Sequence, residues 1–510
     1  MSAEITRRRF LEAAGAGVAW IALTSTLGCE PAKRPREGGS PARPGQAQAA
    51  QASERFVWTF RSRPDLRPPV IDVATQAHNT APGYIFVAPK NGPGEYSPAQ
   101  DGPLILDNSG EPVWFRPLQN EDEDTMDFKV QHYRGEPVLT WWVGTHTGYG
   151  HGEYVIADTS YREIRRVRAG NGYQGDHHEF LITPQQTALL DIYGKVNNME
   201  LSSVGGPKDG KVLEGIVQEV DIETGEVLFE WHSLDHVGLD ESVEILPENP
   251  DEAYDYFHIN SIDVDHDNNL IVSSRLTSTV YKIDRQSGEV IWRLGGKKSD
   301  FEMGPDTRPR LQHDARRQAD GTVTTFDNGD AKFDDQSYGT VLELDDDEMS
   351  ATLLRKYPHP EGKICGTQGS VQVLPNGNVF IGWGSNPLLS EYSRDGDLLF
   401  NASFPPEVES YRAFRFPWSG QPDEDPALAV EPDDGALTLY ASWNGDTEVA
   451  SWQVLAGPAP DRLKPLGPAT PRAGFETAIT VHTAELYVGV QANNGSGRVL
   501  GTSEVARTPN

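Results

Sequence analysis

Cysteine is almost absent from this chain: two occur among 510 residues, Cys29 and Cys365. With Cys29 in an N-terminal leader, only Cys365 stands in the body, so no disulfide can form within it and stability must come from a large core. Basic residues are scarce as well, 44 against 76 acidic, for a formal charge of −32. Such a surface argues against nucleic acid and supports solubility. It leaves room for an anionic substrate wherever a local cluster is positive. The apolar stretch from Ala13 to Leu27 is too short, and too soon followed by Cys29, to make a good spanning helix. No compact pair of metal ligands of the HExxH kind is present.

What the first residues do contain is a leader. Thr6-Arg7-Arg8-Arg9-Phe10-Leu11 is a twin-arginine type start, and Leu27-Gly28-Cys29 resembles a lipoprotein cleavage box, with Thr26 where leucine is usual. Residues 1–29 are therefore expected to be a Tat-type lipoprotein signal peptide. Lipidated Cys29 would hold the protein to a membrane on the extracytoplasmic side of the cell envelope. Residues 30–55, rich in Pro, Gly, Ala and Gln, read as a flexible linker. The body is 56–510.

The body reads as short strands closed by Asp- or Ser-led turns ending in glycine, as in Val220-Asp221-Ile222-Glu223-Thr224-Gly225 and Lys282-Ile283-Asp284-Arg285-Gln286-Ser287-Gly288. The period decides the architecture. Asp158, Asp221 and Asp284 are spaced by 63 residues, Asp345 follows after 61, and Asp107 and Asp395 extend the series. Six such turns predict an all-β, six-bladed β-propeller with loop insertions. A two-sheet sandwich is the rival and gives no reason for six similar turns. Asn120 to Asp127, Leu234 to Asp255 and Lys297 to Arg310 read as polar loops over the mouth. Residues 411–510 either complete the last blade or add a small C-terminal β extension.

Four polar motifs stand beside these strands: His178 in Asp176-His177-His178-Glu179, His258 in Phe257-His258-Ile259-Asn260-Ser261, Arg275 in Ser273-Ser274-Arg275, and His313 in Gln312-His313-Asp314-Ala315. Arg275 comes 17 residues after His258, a separation at which a hairpin returns it close by. Inner strands of a propeller begin at the central channel, so successive blades can bring the three imidazoles to one pocket. Neutral imidazoles that attack or relay protons, with a fixed cation beside them, suit transfer of an anionic group. Asn260 and Asn328 are the nearby amides, and Tyr256, Phe257, Phe326 and Trp383 are candidate aromatic contacts to substrate, each equally open to a role in the core. His146 and His151 lie in a Gly-rich stretch that could shape a rim. A metal bound by imidazoles and carboxylates is the alternative, and it leaves Arg275 unexplained.

These motifs, with Pro82-Gly83-Tyr84-Ile85-Phe86, Trp292-Arg293-Leu294-Gly295-Gly296-Lys297, Phe326-Asp327-Asn328-Gly329 and Leu374-Pro375-Asn376-Gly377, resemble the arylsulfotransferase family, in its actinobacterial and fungal-like branch. The resemblance runs over nearly the whole body. It implies a six-bladed propeller that moves sulfate from a phenolic sulfate ester to another phenol, without a nucleotide sulfate donor. It also implies that His313 is the nucleophile and forms a sulfohistidine, with His258, Arg275 and His178 completing the catalytic set. The implied partners are a phenolic sulfate donor and a phenolic acceptor; no cofactor, metal or protein partner is expected. Two other functions stay open at this point: a noncatalytic or sensory propeller binding an anionic aromatic ligand, and a quinone-dependent oxidoreductase.

Overall fold

A computed structural model of the chain describes residues 56–509 other than 94, 121 and 250. The leader expected at 1–29, with Cys29, and the linker at 30–55 lie outside the described residues. Among the described residues, no helix is long and apolar enough to cross a membrane.

The fold is mostly β and built from many sheets. Six of them have a framework of four consecutive antiparallel strands, with one exception at the chain's ends, and two of these add a short parallel strand. Their innermost strands are β1 (Asp124–Tyr133), β2 (Phe180–Ile182), β3 (Ile259–Val264), β4 (His313–Arg317), β5 (Ser370–Val373) and β6 (Val408–Phe416). The exception is the sheet of β6, which the chain forms by returning to pair with Tyr84–Asn91, from the beginning of the body. Each innermost strand contacts the next, and β6 contacts β1.

The repeated turns all occupy one structural position. Asp107, Asp158, Asp221, Asp284 and Asp345 each end or directly follow the third strand of a sheet, and one carboxylate oxygen of each accepts N–H bonds from residues two to four further on. The sixth turn is led by Ser393, whose Oγ accepts Asp397 N–H at 3.0 Å, rather than by Asp395. Asn120 to Asp127 is only partly a loop, because Asp124 already belongs to β1.

Residues 411–510 do two things. Those in β6 pair with the first strands of the body, and Ala427 onward forms two further sheets with their own core around Leu439, Trp452, Val488 and Val490.

The six innermost strands are stitched together by buried charge. Lys129 on β1 donates to Asp127 at 2.7 Å and to Glu179 at 2.8 Å. Arg412 on β6 reaches Asp127 at 2.9 Å, Glu179 at 3.3 Å and Asp314 at 3.5 Å, and donates to the carbonyl of Asn260 on β3 at 2.8 Å. Arg316 on β4 pairs with Glu179 and with Asp314, the latter at 2.7 Å, while Asp314 accepts Val371 N–H of β5 at 2.9 Å. Three cations meet three carboxylates, so the cluster is neutral. Such a network adds little net stability over an apolar core, but removing one member leaves a buried charge uncompensated.

Candidate active site

His178 precedes β2, His258 precedes β3, His313 opens β4 and Gln368 precedes β5. The backbone is irregular there: His258, Asp314, Gln368 and Asp127 have φ of 55°, 54°, 67° and 55°. Pairing registers shift between Ile259 and Ser261, His313 and Arg316, and Met126 and Lys129. A bulge with a left-handed residue turns neighbouring side chains off the regular alternation, and such strain gathers at functional sites.

The three imidazoles come together. Ring centroids are 5.2 Å apart for His178 and His258, 6.4 Å for His178 and His313, and 6.5 Å for His258 and His313. Arg275 joins them through its backbone, its N–H donating to the carbonyl of His258 at 2.9 Å. Its side chain is half-buried and makes no ion pair among the described residues. Nη2 donates to Gly366 O at 3.1 Å, and buried Nε has no partner.

What holds each ring differs in a way that divides their chemistry. His178 Nδ1 donates to Asp176, and His258 Nδ1 donates to Asp255 Oδ2 at 2.6 Å. His313 Nδ1 instead meets the amide oxygen of Asn328 at 2.7 Å. The Asn328 amide cannot be turned around, because its Nδ2 donates to the carbonyls of Cys365 at 2.8 Å and Gln368 at 2.9 Å. The proton of neutral His313 therefore sits on Nδ1, and the lone pair is on Nε2, where Gln368 N–H approaches at 3.3 Å. Burial first, then the Arg275 guanidinium, hold His313 well below the ordinary imidazole range, against the Asn328 bond. Burial also lowers His258, against Asp255. An imidazole backed by a carboxylate is suited to carry positive charge; one backed by an amide is suited to stay neutral and attack.

The other expected residues sit behind this layer. Asn260 donates to the carbonyl of Gln312 at 2.7 Å and so fixes the residue before His313, while its buried Oδ1 has no partner. Asn328 is a positioning residue rather than a substrate contact. Tyr256, Phe257, Phe326 and Trp383 are taken up by the core: each is fully buried, Tyr256 bonded to Ser233 Oγ and Trp383 to Ser390 Oγ. The rings that do touch the imidazoles are Tyr193, 5.6 Å from His178 and 5.5 Å from His258, and Tyr411, 5.4 Å from His178. Half-exposed Tyr149 stacks on Tyr193 at 5.5 Å and carries the aromatic wall outward. Strand tyrosines ordinarily pack in cores, so their sequence gave no sign of this place.

Among the described residues, two sets of side chains bring metal-ligating atoms within 4.8 Å of one another: His178 with His258 and His313, and Asp176 with His177 and His178. A dication on the first would take the nitrogens left free by the Nδ1 bonds and would face the unpaired Arg275. Arg275 makes this a better anion site. A cavity of about 590 Å³ opens at the opposite ends of the same strands, lined by Ile182, Gln318, Gln372 and Phe414. It shares Lys129, Asp314 and Arg316 with the buried network, which separates it from the imidazoles.

The family model described as Arylsulfotransferase (ASST) matches residues 129–405, more than half of the 510 residues, and spans all the site histidines and Arg275. The chain belongs to the arylsulfotransferase family. That membership supports sulfotransferase chemistry in general and a possible enzymatic role. No curated protein matches the chain. Solved structures similar to it include a protein of unknown function from Bacteroides caccae, at TM-score 0.38 and 15% identity over 66% of this chain and 100% of that one. The virginiamycin B lyase of Staphylococcus aureus has TM-score 0.33 and 10% identity, over 74% and 97%. A Lactobacillus plantarum protein has TM-score 0.35 and 11% identity, over 84% and 97%. For this arylsulfotransferase-family chain, similarity at that level says nothing about chemistry.

Proposed function

We propose that this protein is an aryl sulfotransferase, moving a sulfuryl group from a phenolic sulfate ester to a phenolic acceptor through a sulfohistidine at His313, independently of a nucleotide sulfate donor. The observation that carries this reading is the guanidinium of Arg275, without an ion pair among the described residues, beside an imidazole whose lone pair is on Nε2, met only by Gln368 N–H at 3.3 Å. A half-buried cation that makes no direct ion pair, with only the more distant Asp255 and Glu244 carboxylates acting on it, favours an anion. In the proposed reaction, Nε2 of His313 attacks sulfur and the bond from sulfur to the aryl oxygen breaks, its electron pair leaving on the phenolate. Arg275 neutralises the sulfuryl oxygens. The acceptor phenol then gives its proton to His178 or His258, its oxygen attacks sulfur, and the N–S electron pair returns to His313. Tyr193 and Tyr149 offer the aromatic wall for either ring.

The same reading takes the six sheets as blades of a closed propeller, supported by the pairing of β6 with Tyr84–Asn91 and by the buried charge shared among all six innermost strands. Export and lipidation at Cys29 complete the proposal, as the motifs at Arg7 and Cys29 imply.

The test is turnover of a chromogenic aryl sulfate by the body of the protein with and without added phenol. Release that depends on the phenol, with appearance of its sulfate ester, is the expected result. Aryl sulfate that binds without turnover points instead to an anion-binding protein, and a retained coloured quinone to redox chemistry.

A further inference from the structure

Behind His178 lie two carboxyl groups where charge balance allows one. Asp176 and Asp191 are both fully buried, and neither has a lysine or arginine in ion-pair contact among the described residues. Asp176 accepts from the N–H groups of Gly150 and His178 and from His178 Nδ1, with His177 Nδ1 at 3.4 Å. Asp191 lies on the strand Thr187–Met199, next to β2, and its Oδ1 accepts Glu179 N–H at 2.9 Å. Its Oδ2 is buried, has no hydrogen-bond partner, and stands 3.9 Å from His178 Nδ1. Two ionised carboxylates cannot donate to each other, so with both charged this oxygen is stranded.

We infer that Asp191 carries a proton on Oδ2 and shares it with Asp176, forming an acid–carboxylate–imidazole chain behind His178. A proton there supplies the missing donor and removes one of two uncompensated buried charges. Burial and the neighbouring Asp176 carboxylate push Asp191 well above the usual carboxylate range. Burial would raise Asp176 too, but His177 and His178 outweigh it and hold it well below that range. The other groups around the pair supply no second counter-charge. Tyr154 OH donates to Asp176 O at 2.5 Å, Tyr193 and Tyr411 are neutral phenols, and nearby Asp127 and Glu179 are engaged by Lys129, Arg412 and, for Glu179, Arg316.

Resting on the proposed sulfuryl transfer, Asp191 is then a positioning residue. When His178 takes the acceptor's proton, the imidazolium faces one negative charge, from Asp176, and not two.

Infrared difference spectroscopy of resting wild-type protein against D191N tests the protonation without any turnover. A carbonyl band of a buried protonated acid at neutral pH, lost in D191N, is expected; its absence from the difference spectrum overturns the inference. For the role, the pH profile of acceptor sulfation is compared in two folded variants. D191L is expected to lose about tenfold or more and to shift the profile, and D191N, which keeps a donor to Asp176, to recover most of the loss. Equal losses in both variants overturn the role. Presence of the band in a protein that transfers no sulfuryl group would leave the shared proton standing and sink the sulfotransferase reading alone.

Discussion

At the scale of the residue, three histidines of identical covalent structure are given different work by what faces Nδ1. The amide of Asn328 fixes one tautomer of His313 and adds no negative charge, so Nε2 keeps its lone pair and the ring stays neutral. Asn328→Leu removes that acceptor and leaves the carbonyls of Cys365 and Gln368 without their donor. It is expected to slow formation of the histidine adduct by about 10²-fold, measured by rapid quench with a nitrophenyl sulfate. The pH dependence of that step follows from the sign of the His313 shift. Its folded-state pKa lies below the ordinary 6.5, so the neutral nucleophile persists as pH falls through that value. With a leaving group that needs no proton, adduct formation is expected to stay level as pH falls from neutral through 6.5. A fall centred near 6.5 would show an ordinary, solvated imidazole.

At the scale of the element, four of the sheets bring the start of a strand to the site, with His178, His258, His313 and Gln368, and side-chain amides bracket neighbouring sheets. Gln131 on β1 accepts Ile182 N–H at 2.8 Å and donates to Phe180 O at 3.0 Å, which fixes β2 beside β1. Gln372 on β5 does the same with both backbone groups of Arg415 on β6. Gln131→Leu strands a buried donor and an acceptor, and is expected to lower unfolding stability by about 2–4 kcal/mol, read from urea unfolding. Turns and catalytic residues differ in how far the sequence reveals them. Asp221 and Asp284 stand out because a carboxylate bonding its own turn leaves a short, periodic signature. His258 and Arg275 could be placed together because a hairpin's length limits where its ends meet. The aromatic wall could not: Tyr193 and Tyr411 sit in strands where alternation predicts only burial, and the left-handed backbone at His258 and Asp314 that re-aims the site leaves no compositional mark. Tyr256 and Phe257 adjoin His258 in sequence, yet they pack into the core behind the strand.

At the scale of the whole molecule, an acidic protein holds three buried or half-buried cations, Lys129, Arg316 and Arg412, where the strands converge. The neutral network of Lys129, Arg316 and Arg412 with Asp127, Glu179 and Asp314 ties the innermost strands together, while Arg275 alone among the cations near the imidazoles is left for a ligand. Arg412→Met leaves Asp127 and Glu179 short of a partner in a fully buried place. Thermal and urea unfolding are expected to show a loss of about 3–5 kcal/mol. A neutral effect would mean that water or a rearranged Lys129 replaces the guanidinium. The central claim is that His313 is the covalent carrier of the sulfuryl group. It is tested by reaction of the protein with an aryl sulfate and no acceptor, followed by intact-mass and peptide analysis under conditions that preserve the labile N–S bond of an N-sulfoimidazole. One sulfuryl group per molecule is expected, on the peptide bearing His313, discharged when phenol is added. Steady transfer to phenol with no adduct, or an adduct on another residue that discharges to phenol, would contradict it.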